Sequence, residues 1–339
     1  MHRFGRRFLL ASASAAGTLS LARTGRAEAM PAVPKNVLAF YYGWYGTPDT
    51  SGAWRHWQFN QAHQLTNTTD TPLHGPYDSH DPGVVNAQVA AARAIGITGL
   101  VSSWWGPGSF EDASLPPLLE AAQRFGMKIT AYLEKLDGAS AAARQQSAIA
   151  QLLYLLRMHA WHPAWLRVDG KPVIFVYARA GNALTPPAWR QVVAHVRQQA
   201  PGGVVVIGPL NLLGVFDGAH EYNVTGATCK LQLSQLRGWA EAHYRALVRD
   251  IGPKISCVTV IPGYNDTHVG RPLPRPTTPR DGGAVYEILW QAAIAAKPDW
   301  VVITSWNEWH EGTEIEPSVQ YGDLYEEETR KFARQFLQE

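Results

Sequence analysis

The sequence predicts a single-domain α/β fold, a (β/α)8 TIM barrel, on three observations. First, short apolar runs alternate with helical segments along the 339 residues, as in proteins built on a parallel sheet. Second, eight such runs occur, which favours a closed barrel over an open doubly wound sheet. Third, no G-x-G-x-x-G sequence follows the first run and no Walker A sequence occurs, which argues against an open nucleotide-binding sheet.

The predicted strands are rich in Val, Ile, Leu and aromatic residues, a composition typical of strands buried on both faces. Several of them end in aromatic or acidic residues. The run at 218–224 is the weakest of the set. The strands cover 37–45, 98–105, 127–134, 172–177, 204–207, 218–224, 255–261 and 300–303.

The predicted helices lie between these strands. Ser114 is placed at the N-cap of helix 114–125, and Gly126 follows that helix at a C′ position. The segment 46–82 has no predicted element, and a loop this long inside a compact domain is usually functional. The helices cover 84–95, 114–125, 141–159, 187–199, 233–250, 284–296 and the chain from about 323 onward.

Residues 1–29 are predicted to be an export signal peptide. Arg6 and Arg7 precede an apolar stretch, which fits a twin-arginine signal, and the stretch ends in an A-x-A-like cleavage pattern at 27–29. The alternative is a disordered basic tail. Residues 30–36 would then form a linker and 37–339 the barrel domain, and the mature protein is expected to be periplasmic or secreted.

Composition excludes some classes of partner. A formal net charge of +2 argues against nucleic-acid binding driven by electrostatics. Beyond the N-terminus, no segment has the roughly 18 uninterrupted apolar residues of a membrane helix, so integral membrane association is not expected. Thirteen Trp and thirteen Tyr residues suggest a carbohydrate partner, because aromatic rings stack on sugars, although core packing absorbs most Trp residues in any protein. The oligomeric state cannot be read from the sequence.

The two cysteines, Cys229 and Cys257, could pair in an oxidising compartment. We favour two buried thiols.

The segment 300–317 contains the densest cluster of candidate functional side chains in the sequence. An apolar strand, Trp300–Ile303, ends in a polar and aromatic cluster that contains Glu308 and Glu311. Residues three apart share a face if the segment turns helically, so both carboxyls can face one cavity. A solvated Glu-rich loop is the ordinary explanation for such a pair, but the preceding core strand and the flanking aromatic residues favour a site.

In a barrel the carboxyl ends of the strands meet at one mouth. The two Glu residues are therefore expected to share a pocket with residues that end other strands. A glycosidase needs such a set, because one acid protonates the departing oxygen while a second carboxylate assists at the sugar ring. The expected pocket residues are Trp44, Tyr45, Trp104, Trp105, Glu134, Tyr177, Tyr264, Glu308 and Glu311.

The sequence around these residues resembles that of glycoside hydrolase family 99, the endo-α-1,2-mannosidases and endo-mannanases. The resemblance extends over most of the mature chain. The block 304–316 (Thr-Ser-Trp-Asn-Glu-Trp-His-Glu-Gly-Thr-Glu-Ile-Glu) is specific. Other blocks are individually weak but occur in the family's order. They lie at 41–46, 54–57, 75–82, 101–108 and 262–267.

The resemblance implies a retaining hydrolase that needs neither metal nor cofactor and acts on an oligo- or polysaccharide. Glu308 would be the base toward the substrate's own 2-hydroxyl, which forms a 1,2-anhydro sugar, and Glu311 the general acid/base. The two carboxyls must then hold opposite protonation states before reaction. The residues implied or predicted to bind the substrate are Tyr45, Trp104, Glu134, Tyr264, Arg271, Trp306, Asn307 and His310.

Three segments depart from the family pattern, namely 135–136, 177–180 and 216–222. They leave open a different α-linked glycan or an exo pattern of cleavage. Other interpretations also stay open: Glu134 could be an ion-pair partner of an arginine such as Arg271, and His310 is expected to orient a carboxylate. A non-hydrolytic carbohydrate-binding or polysaccharide-assembly protein on the same barrel is the alternative function, because fold does not fix function.

Overall fold

A computed structural model describes residues 33–200 and 202–338. The predicted signal peptide, 1–29, and the first residues of the predicted linker lie outside the described residues. They remain predictions. Of the linker, 33–35 has no regular structure, and its last residue, Asn36, opens the first strand.

Nine strands occur in the described part of the chain, and eight of them form a closed parallel barrel. Each barrel strand pairs with its neighbours in the order β3-β2-β1-β9-β8-β7-β6-β5, and pairing of β3 with β5 closes the ring. The short β4 pairs antiparallel with β5 and lies outside the ring. The strands are β1 (Asn36–Tyr41), β2 (Gly99–Trp104), β3 (Lys128–Leu133), β4 (Arg167–Val168), β5 (Lys171–Val176), β6 (Val205–Pro209), β7 (Gly218–His220), β8 (Ile255–Val260) and β9 (Trp300–Ile303).

This architecture confirms the predicted fold, since each of the eight predicted strands supplies one barrel strand. Only three residues of the weak predicted strand at 218–224 form a strand in the structure. This strand, β7, pairs with a neighbour on both sides. The hairpin strand β4 was not predicted, because a two-residue strand has no periodicity to detect.

The helices surround the barrel. Four-residue helices occur after several strands in addition to the long helices that the sequence predicts. The helices are α1 (Pro48–Ser51), α2 (Pro82–Ala94), α3 (Phe110–Phe125), α4 (Ala141–Met158), α5 (Ala178–Gly181), α6 (Pro186–Gln199), α7 (Thr225–Thr228), α8 (Leu233–Ile251), α9 (Ala284–Ala296) and α10 (Leu324–Gln338).

The predicted start of α3 is wrong by four residues. The N-cap is Ser109, whose Oγ accepts a hydrogen bond from the Asp112 N–H at 3.1 Å. Ser114 lies inside the helix, where its hydroxyl donates to the Gly43 carbonyl at 2.7 Å. The earlier start is consistent with two acidic residues in the first turn, which the helix dipole favours. Gly126 ends the helix with φ of 70°, as predicted.

Two cores follow from the alternation of side chains along the strands. Leu38, Phe40 and Tyr132 belong to the core that fills the barrel, whereas Val37 and Trp104 belong to the core between the sheet and the helices. Register thus decides which residue at a strand end faces the barrel mouth. In β2 the inward position is Ser103, and Trp104 points toward the helices.

Cys257 is buried and Cys229 only partly buried, and neither forms a disulfide. Burial is therefore confirmed for Cys257 alone. None of the helices in the described ranges is long and apolar enough to span a bilayer.

Candidate active site

A cavity of about 1000 Å³ opens at the carboxyl ends of the barrel strands. Glu134 follows β3, Tyr177 follows β5, Tyr222 follows β7 and the Glu308/Glu311 pair follows β9. This volume lies at the upper end of the usual range for ligand pockets. The lining also includes Tyr42, Trp44, His56, Gln58, Asn67, Trp105, Tyr132, Arg179, Asp266, His268, Val269, Gly270, Arg271 and His310.

Glu308 is buried in the wall of this cavity and is held through one carboxylate oxygen. Its Oε1 accepts a hydrogen bond from the His310 backbone N–H and contacts His310 Nδ1, both at 3.1 Å. His310 Nε2 lies 2.8 Å from the His56 carbonyl oxygen, which can only accept, so the proton on that nitrogen is fixed. Burial alone would lower the pKa of His310, but Glu308 and the His56 carbonyl raise it above its ordinary value. The Glu308 carboxyl therefore faces a histidine whose proton affinity is raised.

Glu311 lies in a different environment although it is three residues away. Its Oε2 accepts a hydrogen bond of 2.9 Å from the Tyr222 hydroxyl, which itself accepts one of 2.7 Å from Tyr42. Burial and the nearby charge of Glu308 raise the pKa of Glu311 to about 8. At neutral pH the Glu311 carboxyl therefore keeps its proton and can act as an acid.

Glu134 is the third carboxyl of the cavity. Its Oε1 accepts a hydrogen bond of 2.8 Å from Ser103, whose oxygen in turn accepts one of 3.0 Å from the Trp105 indole. Burial raises the pKa of Glu134 to about 8. Arg271 pairs instead with Asp266, at 3.1 Å, so the alternative in which Glu134 forms an ion pair with Arg271 is not observed.

Asn307 fixes the catalytic segment to the end of β1. Its Oδ1 accepts from the Tyr42 N–H at 2.7 Å and its Nδ2 donates to the Tyr42 carbonyl at 3.0 Å. Tyr45 reinforces this attachment, because its hydroxyl donates to the Asn307 carbonyl at 2.9 Å and accepts from the Trp309 N–H at 3.2 Å. The backbone on both sides of Glu308 is thereby held rigid.

A buried arginine holds the far end of the same segment. Arg280 donates to the carbonyl oxygens of Gly312 and Glu314, and it pairs with the carboxylates of Glu314 and Asp70. Unpaired buried charges are costly, so this cluster is a strong constraint on the loop.

The predicted site residues fall into two groups. Glu308, Glu311, Glu134, Arg271 and His310 line the cavity. The others are buried and do not line it, namely Tyr45, Trp104, Tyr264, Trp306 and Asn307.

Strand register and local hydrogen bonds explain this second group. Trp104 points out of the barrel, where its indole donates to Asp112 at 2.8 Å, so the indole at the cavity wall is that of the next residue, Trp105. Tyr264 donates to Asp266 at 3.1 Å. Trp306 lines a separate cavity of about 790 Å³.

Several lining residues were absent from the predicted substrate-binding set, chiefly Tyr42, Trp105, Tyr132, Arg179 and Tyr222. The aromatic ends of the strands indicated Trp105 as a pocket residue. By contrast, Tyr222 lies just beyond β7, which comes from the weakest of the predicted strands, and no pattern in the sequence showed that it reaches Glu311. Within 33–200 and 202–338, no group of three or more His, Cys, Asp and Glu side chains is arranged to bind a metal ion.

Known proteins resemble the chain over nearly its whole length. The model of glycosyl hydrolase family 99 matches residues 32–323. The chain is 26% identical to the glycoprotein endo-alpha-1,2-mannosidase of Rattus norvegicus, over 92% of this chain and 77% of that protein. It is 26% identical to a human glycoprotein endo-alpha-1,2-mannosidase-like protein, over 91% and 77% respectively. The GH99 endo-alpha-mannosidase from Bacteroides thetaiotaomicron superposes with a TM-score of 0.74 at 26% identity, over 89% of this chain and 97% of that structure.

Proposed function

Because the chain belongs to glycosyl hydrolase family 99, we propose that it is an endo-acting hydrolase of α-linked mannose glycans in which Glu308 is the base and Glu311 the general acid/base. The observation that carries this proposal is the contrast between two carboxyls in one cavity. Glu308 is bound by His310, whose pKa lies above its ordinary value, whereas burial and the charge of Glu308 keep the proton on Glu311.

The first step breaks the glycosidic bond. Glu308 takes the proton of the substrate 2-hydroxyl, and this oxygen attacks the anomeric carbon to form a 1,2-anhydro sugar. The bond from the anomeric carbon to the leaving oxygen breaks, and that oxygen takes the proton from Glu311. Glu311 must hold this proton beforehand, and its raised pKa supports that role.

The second step restores the hydroxyl. Glu311, now a carboxylate, removes a proton from water as the water oxygen attacks the anomeric carbon. The bond from this carbon to the 2-oxygen breaks, and the 2-oxygen takes back the proton held by Glu308. Two inversions give net retention of the anomeric configuration, and both carboxyls return to their starting states.

The other cavity side chains would hold the reacting sugar. We propose Trp105 as a ring against an apolar face of the sugar, and Glu134 and Arg271 as partners for its hydroxyls. His310 would orient Glu308 without transferring a proton to the substrate. Trp104, Asn307 and Tyr45 would act through the residues that they position.

The names of the relatives support an α-mannose substrate. Among the similar proteins are an endo-alpha-1,2-mannosidase and an endo-alpha-mannosidase, which align with 92% and 89% of this chain. We propose the same internal cleavage here, in the periplasm or outside the cell after removal of residues 1–29. Cell fractionation with an Arg6→Lys, Arg7→Lys variant tests export. If the twin-arginine signal directs export, this variant should lose the periplasmic or secreted form.

Product analysis tests the proposed mechanism. We expect the purified mature chain to release α-configured reducing ends from an α-mannan with α-1,2 linkages in which the cleaved residue is extended through another position and keeps a free 2-hydroxyl, as read by NMR before mutarotation. A matched substrate that lacks the 2-hydroxyl at the cleaved residue should not be hydrolysed, because nothing remains for Glu308 to deprotonate. β-configured products, or equal rates on the deoxy substrate, would reject participation of the 2-hydroxyl. Binding of mannan without any release of reducing ends would favour a non-hydrolytic protein.

A further inference from the structure

The two guanidinium groups that line the catalytic cavity differ in their partners. Four carboxyl groups line the same cavity. Asp266 is bound by Arg271 and by Arg275, at 3.1 Å and 2.8 Å. Glu308 is bound by His310. These two acids therefore have basic partners within the protein.

The remaining two carboxyls do not supply a negative charge at neutral pH. Burial raises the pKa of Glu134 and of Glu311 to about 8, so both are largely protonated at pH 7. Arg179, the second guanidinium of the lining, has no carboxylate oxygen within 4.0 Å among the residues that the structure describes. It lies near enough to Glu134 to lower the pKa of that carboxyl, but it does not form an ion pair with it.

Arg179 is nevertheless held in place. Its guanidinium carbon lies 5.3 Å from the centroid of the Trp105 ring and 5.8 Å from that of Tyr177. Both of these rings also line the cavity, and cation–π contacts of this kind orient a guanidinium without neutralising it. The five N–H donors of an arginine thus remain available at the wall that also carries Trp105, a proposed platform for the sugar.

We propose that Arg179 binds an oxyanion carried by the glycan, so that the preferred substrate is an α-linked mannose glycan with a negatively charged substituent. A guanidinium suits such a group because its planar fork matches a carboxylate, phosphate or sulfate. The shared chemistry is an oxyanion, and its source can be a uronate, a phosphate ester or a sulfate ester. This inference rests on the proposed function.

Paired substrates test the preference. One arm uses a neutral α-mannooligosaccharide with a cleavable α-1,2 linkage and a free 2-hydroxyl on the cleaved residue, and three further arms use the same backbone with a phosphate ester, a sulfate ester or a uronate residue. We expect kcat/KM to be about tenfold higher on at least one anionic arm, the scale of one charge-assisted hydrogen bond. The arm with the largest gain identifies the source of the oxyanion.

Two variants separate charge from shape. Arg179→Met keeps an unbranched apolar stem and should remove the preference while changing kcat/KM on the neutral arm by less than about threefold. Arg179→Lys keeps the charge but loses the fork, so it should retain part of the preference. Arg190→Met, at an exposed position of α6, is the matched control and should change neither arm.

Calorimetry on the Glu311→Gln variant measures the affinity for each glycan, and it therefore tests the same preference independently of turnover. A preference for the neutral glycan both in kcat/KM of the wild type and in the affinity of Glu311→Gln would overturn the inference, as would an equal loss on all arms in Arg179→Met. By contrast, absence of hydrolysis on every arm together with tighter binding of an anionic arm would reject the proposed function and leave the anion site standing.

Discussion

Tyr222 donates a hydrogen bond of 2.9 Å to Glu311, and it reaches that carboxyl from just beyond the end of β7, 89 residues earlier in the chain. The bond stabilises the carboxylate form and so limits a pKa that burial and Glu308 raise to about 8. The proton affinity of the proposed acid is therefore set by strands that are distant in sequence.

Removal of this donor should move the pH profile. In Tyr222→Phe the carboxylate of Glu311 loses a hydrogen bond, so its pKa rises further and the basic limb of kcat/KM shifts to higher pH. Tyr286→Phe is the control, because the Tyr286 hydroxyl contacts Thr329 at 2.9 Å between α9 and α10. We expect the control to lose stability without a shift of the limb. Unchanged limbs in Tyr222→Phe would show that Tyr222 does not tune the acid.

The raised pKa of Glu311 also predicts how activity depends on pH. The acid must be protonated, so kcat/KM should fall as pH rises through about 8. Measurement of kcat/KM from pH 5 to 10 on a neutral glycan tests this expectation. A basic limb near pH 5, the range of an ordinary carboxyl, would contradict the assignment of the acid to a buried group.

Stability should depend on pH in a related way. The folded-state pKa of Glu311 lies above its unfolded value of 4.5, so the folded protein binds more protons between about pH 4.5 and 8. The free energy of unfolding contributed by this group therefore falls as pH rises through that window. Glu311→Gln removes the titration, so its Tm relative to wild type should be higher at pH 8 than at pH 5. A Tm difference independent of pH would contradict this linkage.

Tyr45 supports the catalytic segment from outside the cavity. Tyr45→Phe removes the hydrogen bonds to the Asn307 carbonyl and the Trp309 N–H, each worth roughly 1 kcal/mol net. We expect kcat to fall while KM changes little, because the altered contact positions Glu308 and does not touch the sugar. A rise in KM with unchanged kcat would instead indicate direct contact of Tyr45 with substrate.

The buried Arg280 should be important for stability. Arg280→Met leaves Glu314 and Asp70 without their cation, and breaking a buried pair typically costs about 3–5 kcal/mol. Chemical denaturation measures this loss. The double variant Arg280→Met, Glu314→Gln should recover part of it, because the uncompensated charge is removed. Additive losses in the double variant would argue against the ion pair as the cause.

The fold was predictable because each barrel strand except β7 lies in a predominantly apolar run of the sequence. Three-residue β7 is stabilised by pairing on both sides rather than by its own composition. The start of α3 could not be predicted in the same way. Ser109 and Ser114 are both acceptable N-cap residues in the sequence, and only the hydrogen bond from the Asp112 N–H to Ser109 distinguishes them.

Site residues could be predicted where they lie close together in the sequence. Glu308, His310 and Glu311 lie within four residues, and the strand before them places them at the barrel mouth. The choice between Trp104 and Trp105 required the register of β2, which the sequence does not fix when both neighbours are tryptophan. Partners such as Tyr222 and Arg179 come from other strands, and only the closed barrel brings them to the cavity.

The most direct test of the central claim compares Glu308→Gln and Glu311→Gln on a mannooligosaccharyl fluoride. Fluoride needs no proton to depart, so Glu311→Gln should still release a rapid burst of fluoride while it fails to cleave the natural glycan. Glu308→Gln should release none, because the 2-hydroxyl stays protonated and cannot attack. A burst in Glu308→Gln, or its absence in a folded Glu311→Gln that still binds mannan, would contradict the assignment of base and acid.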